Sequence, residues 1–253
     1  MTVAELNGFE IAYDVAGDGR TVLFTHGYQA SRRMWDPQFE ALASRHRPVV
    51  WDLRGHGESG VDDDPALYSQ ELMLGDMLAL LNHLGADKSV LVGHSLGGFA
   101  SLRFYLDHPE MVSALVLFGS GPGFRDPDAR AKWNAMADRF AGGMEKRGLE
   151  LLQRAGAEVS TAVHRSARAL AHAARGMLAQ QDARVMDAIT DIAVPTLVIV
   201  GSEDKQFLGS SEYMARKIPG ARLELIEGGA HAANMEQPEG FNAALSSFLD
   251  GLP

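Results

Sequence analysis

Ser95 sits at the centre of Gly93-His94-Ser95-Leu96-Gly97, which follows the apolar, β-branched run Val90-Leu91-Val92 and leads directly into a helical pattern. That order predicts a strand, a sharp turn and a helix, with the serine at the apex. Glycines at 93 and 97 suit such a turn, because neighbouring segments approach too closely for a Cβ. A hydroxyl held there is a candidate nucleophile, and the Leu96 N–H, at the start of the helix, is a candidate oxyanion donor. A glycine-rich β–α turn that merely contains a serine is the plain alternative. Three other strand ends carry groups of matching chemistry: His26-Gly27-Tyr28, Gly201-Ser202-Glu203-Asp204 and Gly229-Ala230-His231.

These stretches are positioned by an alternation of elements. Strands are expected over 9–15, 21–25, 49–51, 90–92, 112–118, 195–200 and 222–226, several of them continuous apolar runs. Helices are expected over 34–43, 69–84, from Leu96 to the His108-Pro109 stop, 210–218 and 238–249. Ser69 can cap the second of these. Buried strands alternating with helices predict a mostly parallel sheet covered on both faces, with ligands at the C-terminal strand ends. Residues 123–192 break the alternation. They are rich in Ala, Arg, Met and Glu, contain no strand pattern, and have too few large apolar residues for a core of their own. The expected organisation is a core of 1–122 and 193–253 with a helical cap, or lid, at 123–192.

The chain of 253 residues carries a net charge of −10, which argues against nucleic acid or an anionic membrane surface as a partner. It has no cysteine, so thiolate chemistry and disulfides are out. No apolar run approaches the roughly 20 residues of a membrane span, and the first residues do not read as a secretory signal. A cytoplasmic protein acting on a small molecule is the expectation. The histidine spacing offers no metal site, and no Gly-x-Gly-x-x-Gly follows the first strand, so no cofactor is expected.

Taken together, His26-Gly27, Asp52-x-Arg54-Gly55-His56-Gly57-x-Ser59, Gly93-x-Ser95-x-Gly97-Gly98, Gly201-x-x-Asp204 and Gly229-x-His231 occur in an order that resembles the α/β-hydrolase superfamily over nearly the whole chain. The similarity is to its capped single-domain esterases, lactonases and carbon–carbon bond hydrolases. It implies an eight-stranded sheet and a Ser95–His231–Asp204 triad, with Ser95 as nucleophile, His231 as base and Asp204 orienting the imidazole. It also implies the Tyr28 N–H as second oxyanion donor beside Leu96. Glu203 rivals Asp204, and register after the strand favours Asp204. His94, adjacent to Ser95 in a tight turn, should point away as a packing or hydrogen-bonding residue. His26 should brace the oxyanion loop, and Arg54 and His56 should order their own loop.

The expected function is hydrolysis of a small carboxylic ester or lactone through an acyl-serine. Two alternatives share the fold: cleavage of a carbon–carbon bond in a ring-fission product, and a ligand-sensing module. The superfamily's carbon–carbon hydrolases often carry tryptophan after the catalytic histidine, where this chain has Ala232. Haloperoxidases and perhydrolases also look similar. Nine cap arginines (125, 130, 139, 147, 154, 165, 168, 175 and 184) suggest solvated helix faces, with one or two turned inward to hold a substrate carboxylate.

Overall fold

The computed structural model describes the backbone of residues 1–253 and every side chain but that of Arg154. Eight strands form one sheet: β1 (Thr2–Leu6), β2 (Phe9–Val15), β3 (Thr21–Thr25), β4 (Arg47–Trp51), β5 (Ser89–His94), β6 (Val112–Phe118), β7 (Thr196–Gly201) and β8 (Arg222–Ile226). Their order is β1-β2-β4-β3-β5-β6-β7-β8, parallel from β4 to β8 and antiparallel at the β1–β2–β4 end. The ten α-helices are α1 (Asp36–Leu42), α2 (Gln70–His83), α3 (Leu96–Asp107), α4 (Pro127–Arg147), α5 (Ala157–Ser160), α6 (Ala167–Ala173), α7 (Arg184–Ala188), α8 (Leu208–Lys217), α9 (Ala233–Glu236) and α10 (Pro238–Asp250).

The apolar runs become central strands because both of their faces are covered. Leu23, Leu91, Leu115 and Leu117 join the α2 and α3 side of the core, with Met77, Leu80, Leu102 and Phe104. The alternate residues Phe24, Val92, Val116 and Phe118 join the other side, with Leu42 of α1 and Phe241 and Phe248 of α10. Each such side chain contributes about 1.5–3 kcal/mol by leaving water. Ser69 caps α2 by accepting the Leu72 N–H at 3.2 Å.

The first strand is not among those expected from the sequence. Only Leu6 of β1 is buried, so its residues carry no pattern of their own. The hairpin signal was Asn7-Gly8, at φ 52° and 70°, the backbone geometry of a two-residue primed turn. The expected helix over 34–43 starts as a 3₁₀ turn (Arg32–Trp35) before α1. Residues 123–192 are helical without a strand. They do form one small cluster of their own, Ala141, Met144, Leu152, Val159, Leu170, Ala171 and Ala174, against which Tyr28 packs. Alanine makes this possible, since small side chains let short helices approach closely. Among the described residues no helix is long and apolar enough to cross a membrane.

Candidate active site

Ser95 lies between β5 and α3 at φ 51° and ψ −113°, a conformation that costs a non-glycine residue on the order of 1–3 kcal/mol. The surroundings enforce it. A Cβ at Gly93 would meet the Gly97 carbonyl oxygen at 2.2 Å, and one at Gly97 would meet the Thr25 carbonyl oxygen at 2.1 Å, so backbone presses on backbone at both positions. The turn is held by the Ser95 N–H on the Phe118 carbonyl at 2.9 Å and the Ser120 hydroxyl on the Ser95 carbonyl at 2.7 Å. Among the described residues no hydrogen bond engages the Ser95 hydroxyl, or the N–H groups of Leu96 and Tyr28. The loop after β3 abuts the serine: a Cβ on Gly27 would lie 3.1 Å from the Ser95 Cβ.

Asp204, after β7, and His231, after β8, meet through Nδ1 and Oδ2 at 2.7 Å. Asp204 is 5% exposed while Glu203 beside it points to solvent, because the Asp204 N–H turns back onto the Gly201 carbonyl at 3.1 Å. The second carboxylate oxygen accepts the Phe207 N–H at 3.3 Å. The acceptor role of the carboxylate makes Nδ1 the protonated ring nitrogen and leaves Nε2 as the basic one. Phe207 stacks on the imidazole at 4.9 Å and 15°.

His94 is a packing and hydrogen-bonding residue, but it does not leave the site. Its Nε2–H donates to the His231 carbonyl at 3.0 Å, and its ring lies 4.4 Å from that of His231. Burial, together with the neighbouring His231, holds its pKa well below the usual histidine value, so it is a neutral buttress. His26 braces the loop after β3: Nδ1–H donates to the Gly27 carbonyl at 2.7 Å and Nε2 accepts the Leu53 N–H at 3.0 Å. Full burial lowers its pKa to about 4. Arg54 orders its loop through Asp76, at 2.7 and 2.6 Å, and the Leu67 carbonyl. His56 donates to the Arg54 carbonyl at 3.1 Å, and its pKa is pushed well down by burial and by His26 and His164.

Several contacts at the site carry no local signal in the sequence, although Asp52 and Tyr28 themselves stand in the stretches singled out there. Asp52 anchors the loop bases, accepting the N–H groups of Arg32 at 2.7 Å and Glu58 at 2.9 Å and pairing with the buried Arg32 guanidinium. His164, from the helical segment, accepts the Gly57 N–H at 3.0 Å and donates to the Gln29 carbonyl at 2.8 Å. Tyr28 donates its hydroxyl proton to the Leu170 carbonyl at 3.0 Å. Each depends on residues that meet only in three dimensions.

A cavity of about 310 Å³ opens beside Ser95 and Leu96. Phe99 and Phe207 come from the core, and Phe124, Trp133, Met136 and Leu178 from the helical segment. Tyr28, Asp204 and His231 are outside its lining, and no charged side chain is within it. The inward arginines are therefore a correction. Arg125 pairs with Asp187, Arg168 with Asp63, Arg175 with Asp138 and Glu145, and Arg184 with Asp107, all on the surface. Arg139, Arg147 and Arg165 are exposed, and half-buried Arg130 turns to the Phe124 carbonyl at 3.4 Å. The Arg154 side chain lies outside the described residues. The reason is the alanine-rich inner faces: Ala137, Ala141, Ala169 and Ala173 are buried, while the acidic surface offers the arginines hydrated partners. An unpaired guanidinium in an apolar cavity would lose its hydration without replacement. Among the described residues no group of acidic or histidine side chains has metal-binding geometry.

A strained serine between strand and helix, a buried carboxylate on a histidine at neighbouring strand ends and a sheet of this order define a protein of the α/β-hydrolase class. The sequence model of the alpha/beta hydrolase family matches residues 22–244, and the chain belongs to that family. It is 28% identical over 250 residues to the 3-oxoadipate enol-lactonase 1 of Acinetobacter baylyi, covering 91% of this chain and 89% of that one. A thermophilic esterase from Thermogutta terrifontis, in a malate-bound form, is 29% identical with a TM-score of 0.86, covering 99% of this chain and 98% of the esterase. A hydrolase from Pseudomonas aeruginosa is 27% identical with a TM-score of 0.79, covering 98% and 97% of the two chains.

Proposed function

We propose that this chain is a serine hydrolase of small, neutral, apolar carboxylic esters or lactones. One observation carries the substrate class: the cavity on which Ser95 opens is lined mainly by aromatic and aliphatic side chains, with Ser120, Gln180, Gln206 and Ser210 as neutral polar ones, and holds no charged one. In this reading the Ser95 oxygen attacks the scissile carbonyl carbon while His231 Nε2 takes its proton. The carbonyl π electrons move onto oxygen, and the N–H groups of Leu96 and Tyr28 receive that charge, each donor worth about 2.7–4 kcal/mol. Collapse expels the alcohol oxygen, which recovers the proton from His231, and leaves an acyl-serine. Water, deprotonated by the same histidine, then releases the acid and the serine. Asp204 keeps His231 in the Nδ1–H tautomer and stabilises the imidazolium. The segment between β6 and β7 acts as the lid that selects substrate, since its Phe124, Trp133, Met136 and Leu178 line the cavity beside Ser95.

Support from the enol-lactonase and the esterase is support by likeness, because one fold hosts many reactions. Carbon–carbon cleavage of a ring-fission acid gains nothing here, since such a substrate brings a carboxylate to a wall without cations. The test is labelling with a fluorophosphonate followed by turnover of neutral esters and lactones, acidic esters of equal size, and ring-fission acids. Labelling on Ser95 with preference for the neutral esters or lactones is expected. Labelling on another serine, or a preference for the acids, overturns the reading.

A further inference from the structure

The cavity wall contains one buried polar side chain whose hydrogen bonding is complete on one side only. Gln180 is 7% exposed and lines the cavity between Leu178 and α7. Its backbone is clamped by Asn134, which accepts the Gln180 N–H at 2.7 Å and donates to the Gln180 carbonyl at 2.8 Å. Its Oε1 accepts the Phe124 N–H at 3.2 Å. This contact sets the orientation of the amide, because the reverse orientation would set two donors against each other. Gly123 leaves room for it: a Cβ there would stand 2.6 Å from Oε1. Among the described residues Nε2 has no acceptor. The other hydroxyls of the wall differ. Ser120 donates to the Ser95 carbonyl and Ser210 to the Ser120 carbonyl, so their protons are used within the protein.

We propose that Gln180 Nε2 donates to a second, neutral acceptor oxygen of the substrate, away from the scissile carbonyl. The favoured substrates are then apolar esters or lactones that also carry a keto, amide or ether oxygen. This deepens the hydrolase reading and rests on it for which carbonyl is cleaved. A carboxylate is the wrong partner: one amide donor returns about 1.5–3 kcal/mol to an ion, while burying a charge in an apolar cavity costs several times that. A plain hydrocarbon chain is a poorer fit, because it seals the amide from water and leaves its protons unpaired.

The test uses ethyl esters of unbranched acids in which a single keto oxygen is moved along the chain, each paired with its methylene counterpart. Dissociation constants are read by NMR titration on Ser95→Ala, which binds the esters without consuming them. The selectivity ratio in kcat/KM is read on the unaltered protein. One keto position is expected to bind about three- to tenfold more tightly than its methylene counterpart, with that preference abolished in the Ser95→Ala, Gln180→Met double variant. The proposal is overturned if no keto ester outbinds its counterpart on Ser95→Ala, a result that needs no change at Gln180. It is equally overturned if the preference survives Gln180→Met. Turnover of neither ester, with the binding preference intact, removes the hydrolase reading and leaves the donor standing.

Discussion

The two halves of the candidate site are built by different physics. The strand-end half is held by backbone: Ser95 is wedged where Gly93 and Gly97 admit no Cβ, and the loops that carry Gly27, Asp204 and His231 are tied by short hydrogen bonds to buried groups. The helical roof is held by side chains. Tyr28 reaches Leu170, Trp133 reaches the Leu178 carbonyl at 2.9 Å, Asn134 clamps Gln180, and His164 bridges two core loops. Its own apolar cluster consists largely of alanine. Hard steric limits fix the first half, so its geometry admits little change. The second can exchange one side chain for another without moving the serine. In the proposed reading, chemistry belongs with the strand ends and selectivity with the roof.

The sharpest way to break that contrast is Ser95→Ala. Ester turnover should fall by about six orders of magnitude, measured by kcat/KM, with the melting temperature held, because alanine keeps the Cβ at φ 51° and no hydrogen bond to the hydroxyl is lost. Next, Asp204→Asn should lower kcat by about four orders of magnitude, the effect of the wrong histidine tautomer. Glu203→Gln, at an exposed position, should change it by no more than about twofold. Reversal of these two effects would dissociate the Asp204–His231 pair from the chemistry.

Acid should act through the buried histidines, His26, His56 and His94 at the strand ends and His164 from the roof. His26 is buried neutral with a pKa of about 4 against 6.5 when exposed, and His56, His94 and His164 are shifted in the same direction by burial. In that window the unfolded chain binds more protons, so stability falls as pH is lowered from about 6.5 towards 4. For His26 alone the loss amounts to at most about 3 kcal/mol. Thermal melts across this range check it, and a melting temperature flat from pH 6.5 to 4.5 would contradict it. The smallest effect belongs to the roof. Trp133→Phe removes the bond to the Leu178 carbonyl, which should cost about 1 kcal/mol and lower the melting temperature by roughly 2–4 °C. KM for apolar esters should rise more than kcat falls. A collapse of kcat instead would place the roof within the chemistry.

The amino-acid sequence by itself determined the sheet and its strand ends. Alternating apolar runs such as Val22-Leu23-Phe24 and Val90-Leu91-Val92 must bury both faces, and a parallel sheet then delivers Ser95, Asp204 and His231 to one edge. Gly93 and Gly97 were legible because close backbone approach leaves a residue type as its trace. The strand Thr2–Leu6 was not, since an edge strand with one buried residue has no periodicity to read. Only the tertiary structure decided which way the roof arginines point, how His94 supports His231, and that Asp52, through Arg32, and His164 hold the loop after β3. Those contacts join residues 20 to 137 positions apart. Side-chain direction on a short alanine-rich helix is set by what it packs against, and no local pattern encodes that.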